Sequence, residues 1–183
     1  MTIFNHFVHT NEKRGFALLV AVLVSSLVLA VGLSIITITL KQLQFSNIGR
    51  ESEIAFFAAD AGMECGLYYD YSTNGGHFDF GAGNSTISCM GGNININPSA
   101  IVASTQTVNF QTTWGTSPTV CADVTVKKYF NATSPVSIDA LAGDICPAGV
   151  TCTRTVSKGY NVACSAISTS NLRTVERTLK AVF

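Results

Sequence analysis

Apolar positions follow three regimes along this chain. From Phe16 to Leu40 they form an unbroken run, FALLVAVLVSSLVLAVGLSIITITL, 25 residues without a charged side chain. At about 1.5 Å per residue such a helix is about 37 Å long, enough to cross a hydrocarbon core of about 30 Å. The run therefore predicts a membrane-spanning helix over 16–40. From Lys41 to about Asp70 the apolar residues recur at steps of three and four, which predicts that the same helix continues over 41–70 with one face for packing. Beyond it, 71–183 alternates between apolar and polar residues in short stretches, the pattern of a β domain.

In the second regime Ile54, Phe57, Ala58, Ala61, Cys65 and Tyr68 mark the expected packing face, with Glu51, Glu53, Asp60 and Glu64 largely off it. No proline occurs before Pro98, so no residue of this type interrupts the helix. Gly49, Gly62 and Gly66 each weaken it by about 1 kcal/mol relative to Ala. The small residues Ala58, Ala59, Ala61 and Gly62 allow another backbone to come close. They suit helices bundled side by side, and equally a helix lying on its own sheet.

The third regime opens with 72–99, rich in Gly, Asn, Ser and Thr, which reads as a long connection with turn chemistry throughout. Four strands are expected after it: Ile101 to Phe110, Val120 to Phe130, Val150 to Ala163 and Arg173 to Phe183. An antiparallel sheet with one face on the helix would bury their apolar positions and leave Lys127, Arg154, Arg177 and Lys180 wet. The fold class is thus α+β: a long N-terminal helix, half membrane-spanning and half packed on an antiparallel sheet.

Charge changes the picture little. The chain is 47 % hydrophobic and only 12 % charged, with 11 basic and 11 acidic residues. A nucleic-acid footprint would need clustered Lys and Arg. The pair Lys127-Lys128 is the nearest approach; it reads as a solvated strand edge, contact with a phosphate being the alternative.

The cysteines add a constraint. Cys65, Cys89, Cys121, Cys146, Cys152 and Cys164 all lie C-terminal to the apolar run, and no C-x-x-C pair occurs among them. That favours three disulfides in an oxidising compartment over buried thiols or a zinc site. If strand 120–130 pairs antiparallel with strand 150–163, Cys121 and Cys164 fall at the same end, and Cys146 and Cys152 close a small loop. Cys65–Cys89 is left by elimination, out of 15 connectivities that six cysteines allow.

The N-terminus does not read as a cleaved secretory signal, because the apolar run is too long and no A-x-A-like site follows. A signal anchor fits, with Lys13 and Arg14 retained in the cytoplasm and the C-terminal side translocated. The junction Lys13-Arg14-Gly15-Phe16-Ala17-Leu18-Leu19-Val20 is more specific: a short leader ends in basic residues and Gly, and an apolar helix opens with Phe. It resembles the prepilin junction of type IV pilins and pseudopilins, and Ala55-Phe56-Phe57-Ala58-Ala59-Asp60-Ala61-Gly62 is similar to the A-x-x-A-A-E-A-G stretch of PilX-type minor pilins. The resemblance covers Lys13 to about Tyr69. It implies a leader 1–15 removed by prepilin peptidase after Gly15, methylation of Phe16 as the new amino terminus, and a pilin-like fold. At the fifth mature position most pilins carry Glu; here it is Val20, which removes an assembly contact and favours a minor or tip subunit over a major pilin. By the same resemblance Val20 and Asp60 are expected at subunit contacts. The partners implied are other pilin subunits, prepilin peptidase and the inner membrane before assembly, followed by a place in a cell-surface filament; a surface ligand such as DNA stays open.

No catalytic constellation is found, so no enzyme activity, metal or cofactor is expected. His6 and His9 lie in the leader, leaving His77, and there is no G-x-S-x-G, Walker loop or H-E-x-x-H. The expectation is a minor pilin or pseudopilin that primes or caps filament assembly and displays its β domain. Its rival is a signal-anchored envelope protein with a ligand-binding β domain, outside any filament.

Overall fold

A computed structural model describes residues 12–71, 76–116, 119–139, 143–167 and 174–183. Helix α1 spans Glu12–Asp70, 59 residues. Among the described residues eight strands follow: β1 Ser85–Cys89, β2 Gly92–Ile96, β3 Thr105–Trp114, β4 Val120–Phe130, β5 Val136–Asp139, β6 Asp144–Cys146, β7 Thr151–Tyr160 and β8 Glu176–Val182. The fold is α+β, with two compact units dividing between Ile48 and Gly49.

In the first unit the side chains from Phe16 onward are nearly all exposed, and the run is long and apolar enough to cross a membrane. Its five hydroxyls need no outside partner. Ser25 and Ser26 donate to the carbonyls of Val22 and Leu23, and Ser34, Thr37 and Thr39 to those of Ala30, Leu33 and Ile35. In a medium without water this return to the preceding turn satisfies each donor.

In the second unit a four-stranded antiparallel sheet runs in the order β3-β4-β7-β8. Residues 49–70 of α1 lie on it along the seam of β4 and β7. A Cβ at Gly62 would fall 2.6 Å from Ser157 Oγ and 2.7 Å from the Ala122 Cβ, and Gly66 faces Thr155 and Val124. At Gly159 the strand backbone itself meets the backbone of Ala55 and Ala59. Strand and helix meet where both lack bulk, so the buried helix face is Ala55, Ala58, Ala59, Gly62, Met63, Cys65, Gly66 and Asp70.

This corrects the expected face. Ala58 and Cys65 are buried, but Phe57 is 59 % and Tyr68 57 % exposed. Close approach selects small residues rather than the most apolar ones. The small-residue stretch thus serves the chain's own sheet.

Two further corrections concern the strands. The segment read as a connection over 72–99 contains the hairpin β1–β2, turned at Met90 and Gly91 with φ of 50° and 79°. Two successive left-handed residues make the tight hairpin turn. β3 begins at Thr105 rather than Ile101, because Ala103 and Ser104 adopt φ of 47° and 63° and turn the chain just before it. β4 has the expected bounds and β7 lies within the expected stretch. β8 falls within the fourth stretch, whose first residue, Arg173, is outside the described residues.

The main core lies between the helix, the β1–β2 hairpin and the inner sheet face, around Phe78, Ile87, Ile96, Val108, Phe110, Val124 and Val126. A second, smaller core of Tyr129, Ile138, Cys146 and Cys152 forms where the β5–β6 hairpin covers one end of the outer face. The structure joins Cys65 to Cys89, Cys121 to Cys164 and Cys146 to Cys152.

Candidate functional site

The first candidate surface is the side of α1 turned away from the sheet. Phe56, Phe57 and Tyr68 are exposed there, with Ile54, Asp60 and Ala61 half-buried. Ala61, Glu64, Tyr68 and Met90 line a shallow recess against the Cys65–Cys89 bond. The bond holds the hairpin to the helix, and Tyr69 assists: its hydroxyl donates to the Ser88 carbonyl at 3.0 Å and accepts from the Ser88 N–H at 3.1 Å. The arrangement offers an aromatic and aliphatic stripe, fixed on a braced helix, to another apolar surface.

Of the residues singled out in the sequence, Gly15 lies in the first turns of α1, and residues 1–11 of the expected leader are outside the described residues. Phe16 is 72 % and Val20 40 % exposed, both in the first unit. Asp60 belongs to the second unit, at the border of the stripe.

The helix is held on the sheet at both ends of the second unit by polar contacts. Near its start Glu51 accepts from Asn161 Nδ2 at 2.7 Å, and Ser52 Oγ accepts from Arg177 Nε at 2.7 Å. At its end Asp70 pairs with Lys128 and accepts from Thr153 Oγ1 at 3.1 Å, all three buried. Lys127-Lys128 is therefore not a strand edge. β4 is an inner strand, and its alternation sends Lys128 into the helix seam and Lys127 to the opposite face.

That outer face carries the second candidate surface. The register sets Lys127 opposite Arg154, and Val156 opposite both Thr125 and Lys180. Thr125, Lys127, Arg154 and Val156 line a concavity of about 160 Å³. Arg154 also donates to the Ile138 carbonyl at 3.4 Å, at the foot of the β5–β6 hairpin. This grouping was not read from the sequence, because it depends on a pairing register that alternation alone does not supply.

Further along the same face Tyr160 donates to Glu176 Oε2 at 2.7 Å, and Lys158 lies 3.5 Å from Glu176 Oε1. Burial first, then the bond to Glu176, pushes the Tyr160 hydroxyl well above the usual phenol range. The Tyr160 hydrogen bond holds the Glu176 carboxyl below its ordinary value; partial burial opposes this and the Lys158 charge adds to it.

No protein-family model, curated protein or solved structure matches this chain. The architecture, a long apolar N-terminal helix followed by a β domain, is compatible with that of pilins and with that of signal-anchored proteins.

Proposed function

We propose that this chain is a minor type IV pilin or pseudopilin, a non-enzymatic subunit that primes or caps a filament and displays its β domain outside the cytoplasm. The observation that carries the reading is the stripe of Phe57, Ala61 and Tyr68, left open because the sheet takes only the small-residue face of α1. A helix with one side braced and an apolar side uncovered suits lateral packing against a neighbouring subunit's helix. The junction at Gly15 and Phe16 supports the same reading, since a plain anchor has no need of Gly next to Phe there. In this reading the subunit waits in the inner membrane as a single-pass protein, is trimmed by prepilin peptidase, and then leaves the bilayer for the filament.

The test is the mass of the N-terminal peptide from membranes containing prepilin peptidase. The expected species begins at Phe16 and is heavier by one methyl group. Replacement of Gly15 by a bulky residue should leave the precursor uncut. An intact Met1 in the unsubstituted protein would overturn the reading and leave an anchored β domain.

A further inference from the structure

We infer that the recess between α1 and the β1–β2 hairpin receives the side chain of an arginine or lysine from a protein packed against α1. The inference deepens the reading above: it rests on a neighbouring subunit's covering the stripe of Phe57 and Tyr68, and it names what that neighbour must carry. Ala61, Glu64, Tyr68, Tyr69 and Met90 line the recess, against the Cys65–Cys89 bond. Its volume of about 280 Å³ lies below that of pockets that engulf a whole small molecule, about 300–1,000 Å³, and suits a single side chain.

One half of its chemistry is a carboxylate. Between Glu51 and Asp70 the helix carries Glu51, Glu53, Asp60, Glu64 and Asp70 and no Lys or Arg. The positions one helical turn from Glu64 are Asp60, Ala61, Leu67 and Tyr68, so α1 supplies it with no cation of its own. Glu51 and Asp70 are turned to the sheet, where Asn161 and Lys128 meet them. Glu64 is exposed on the other side, and among the described residues no ion pair includes it.

The other half is aromatic and apolar. The rings of Tyr68 and Tyr69 lie 5.0 Å apart and meet at 84°. Two hydrogen bonds to Ser88 fix Tyr69, and Met90 stands at the hairpin's turn. A cation over the face of a tyrosine ring is attracted by its quadrupole. Ala61 and Met90 offer apolar surface to a methylene stem. An aliphatic guest would meet the rings but leave a carboxylate without a partner in an interface that excludes water, which is costly. An acidic guest would repel Glu64. An ammonium or guanidinium on a long stem satisfies both halves. Because the recess lies within the exposed stripe, whatever covers the stripe covers the recess, so the cation arrives on a protein.

The test is an NMR titration of the full chain in a neutral detergent, read at the ring protons of Tyr68 and Tyr69 and the methyl group of Met90. The probes are N-acetyl-arginine amide, N-acetyl-lysine amide and N-acetyl-citrulline amide, the neutral isostere of the first. Saturable shifts are expected with the arginine or the lysine probe, with a Kd on the order of 1 mM, and none with citrulline. Glu64→Gln should weaken binding about tenfold, the loss of one charge-assisted contact. Glu53→Gln, which lies outside the recess, should leave it unchanged. Absence of saturable shifts, equal shifts with citrulline, or unchanged binding in Glu64→Gln with an unaltered melting curve would overturn the inference. Tighter binding of putrescine than of either basic probe would overturn it in favour of a free diamine. The titration uses no filament and no peptidase: its failure refutes the site alone, whereas an intact Met1 refutes the assembly reading whatever the titration shows.

Discussion

Asp70, the last residue of α1, and Lys128, in an inner strand, form an ion pair buried between helix and sheet. Thr153 on the neighbouring strand donates to the second carboxylate oxygen. The three groups fix where along the seam the helix ends. Removing one partner leaves the other charged and buried, which costs about 3–5 kcal/mol. Asp70→Ala and Lys128→Ala are each expected to lower the unfolding free energy by that amount in denaturant titrations. Asp70→Leu with Lys128→Met together should recover most of the loss.

Gly62 and Gly49 should respond to the same substitution with opposite sign. Alanine favours a helix over glycine by about 1 kcal/mol. At Gly49 nothing lies within 4 Å of a new Cβ, so Gly49→Ala should stabilise. At Gly62 the Cβ would meet Ser157, Ala122 and Val124 at 2.6–2.9 Å, so Gly62→Ala should lower the melting temperature. Thermal unfolding of the two variants side by side decides the matter.

The disulfides should differ in weight. Cys121–Cys164 spans a sequence separation of 43 and Cys146–Cys152 one of 6. Constraint of the unfolded chain by loop length gives about 4 kcal/mol for the first and about 2 kcal/mol for the second. Paired Cys→Ser substitutions, compared by denaturant unfolding, should follow that order. A peptide map of unreduced protein should recover Cys65–Cys89 as the third bond.

Glu176 makes the β domain sensitive to acid. A carboxyl held below its ordinary value of 4.5 adds stability above that pH, and the contribution is lost as pH falls through the lowered value. Tyr160→Phe removes the hydrogen bond that is the first cause of the lowering. The variant should melt at a lower temperature at pH 7, and the gap should narrow between pH 5 and 3 on a melting series.

The sequence was legible where one physical preference dominated. The apolar run and its continuation specify α1, and clean alternation placed β4 from Val120 to Phe130. The Cys121–Cys164 pair followed once two strands were set antiparallel, Cys146–Cys152 from their short spacing, and Cys65–Cys89 by elimination. The packing face of α1 was misplaced because apolar side-chain area ranks Phe57 and Tyr68 above Gly62 and Gly66, while the sheet's close approach favours the smallest side chains. The β1–β2 hairpin was hidden because Met90, rather than Asn, stands at its first turn position. The two faces of the sheet were only half legible: alternation puts Lys127 and Lys128 on opposite sides, but nothing local announces that Asp70 waits for one of them or that Arg154 stands across from the other.

The hydroxyls of the apolar run have a consequence for the life of the helix. Because Ser25, Ser26, Ser34, Thr37 and Thr39 all bond to the turn before them, the segment makes no chemical demand on its surroundings. Lipid tails and the flank of another protein are interchangeable neighbours, chosen by fit alone. A move from one to the other would break none of these hydrogen bonds.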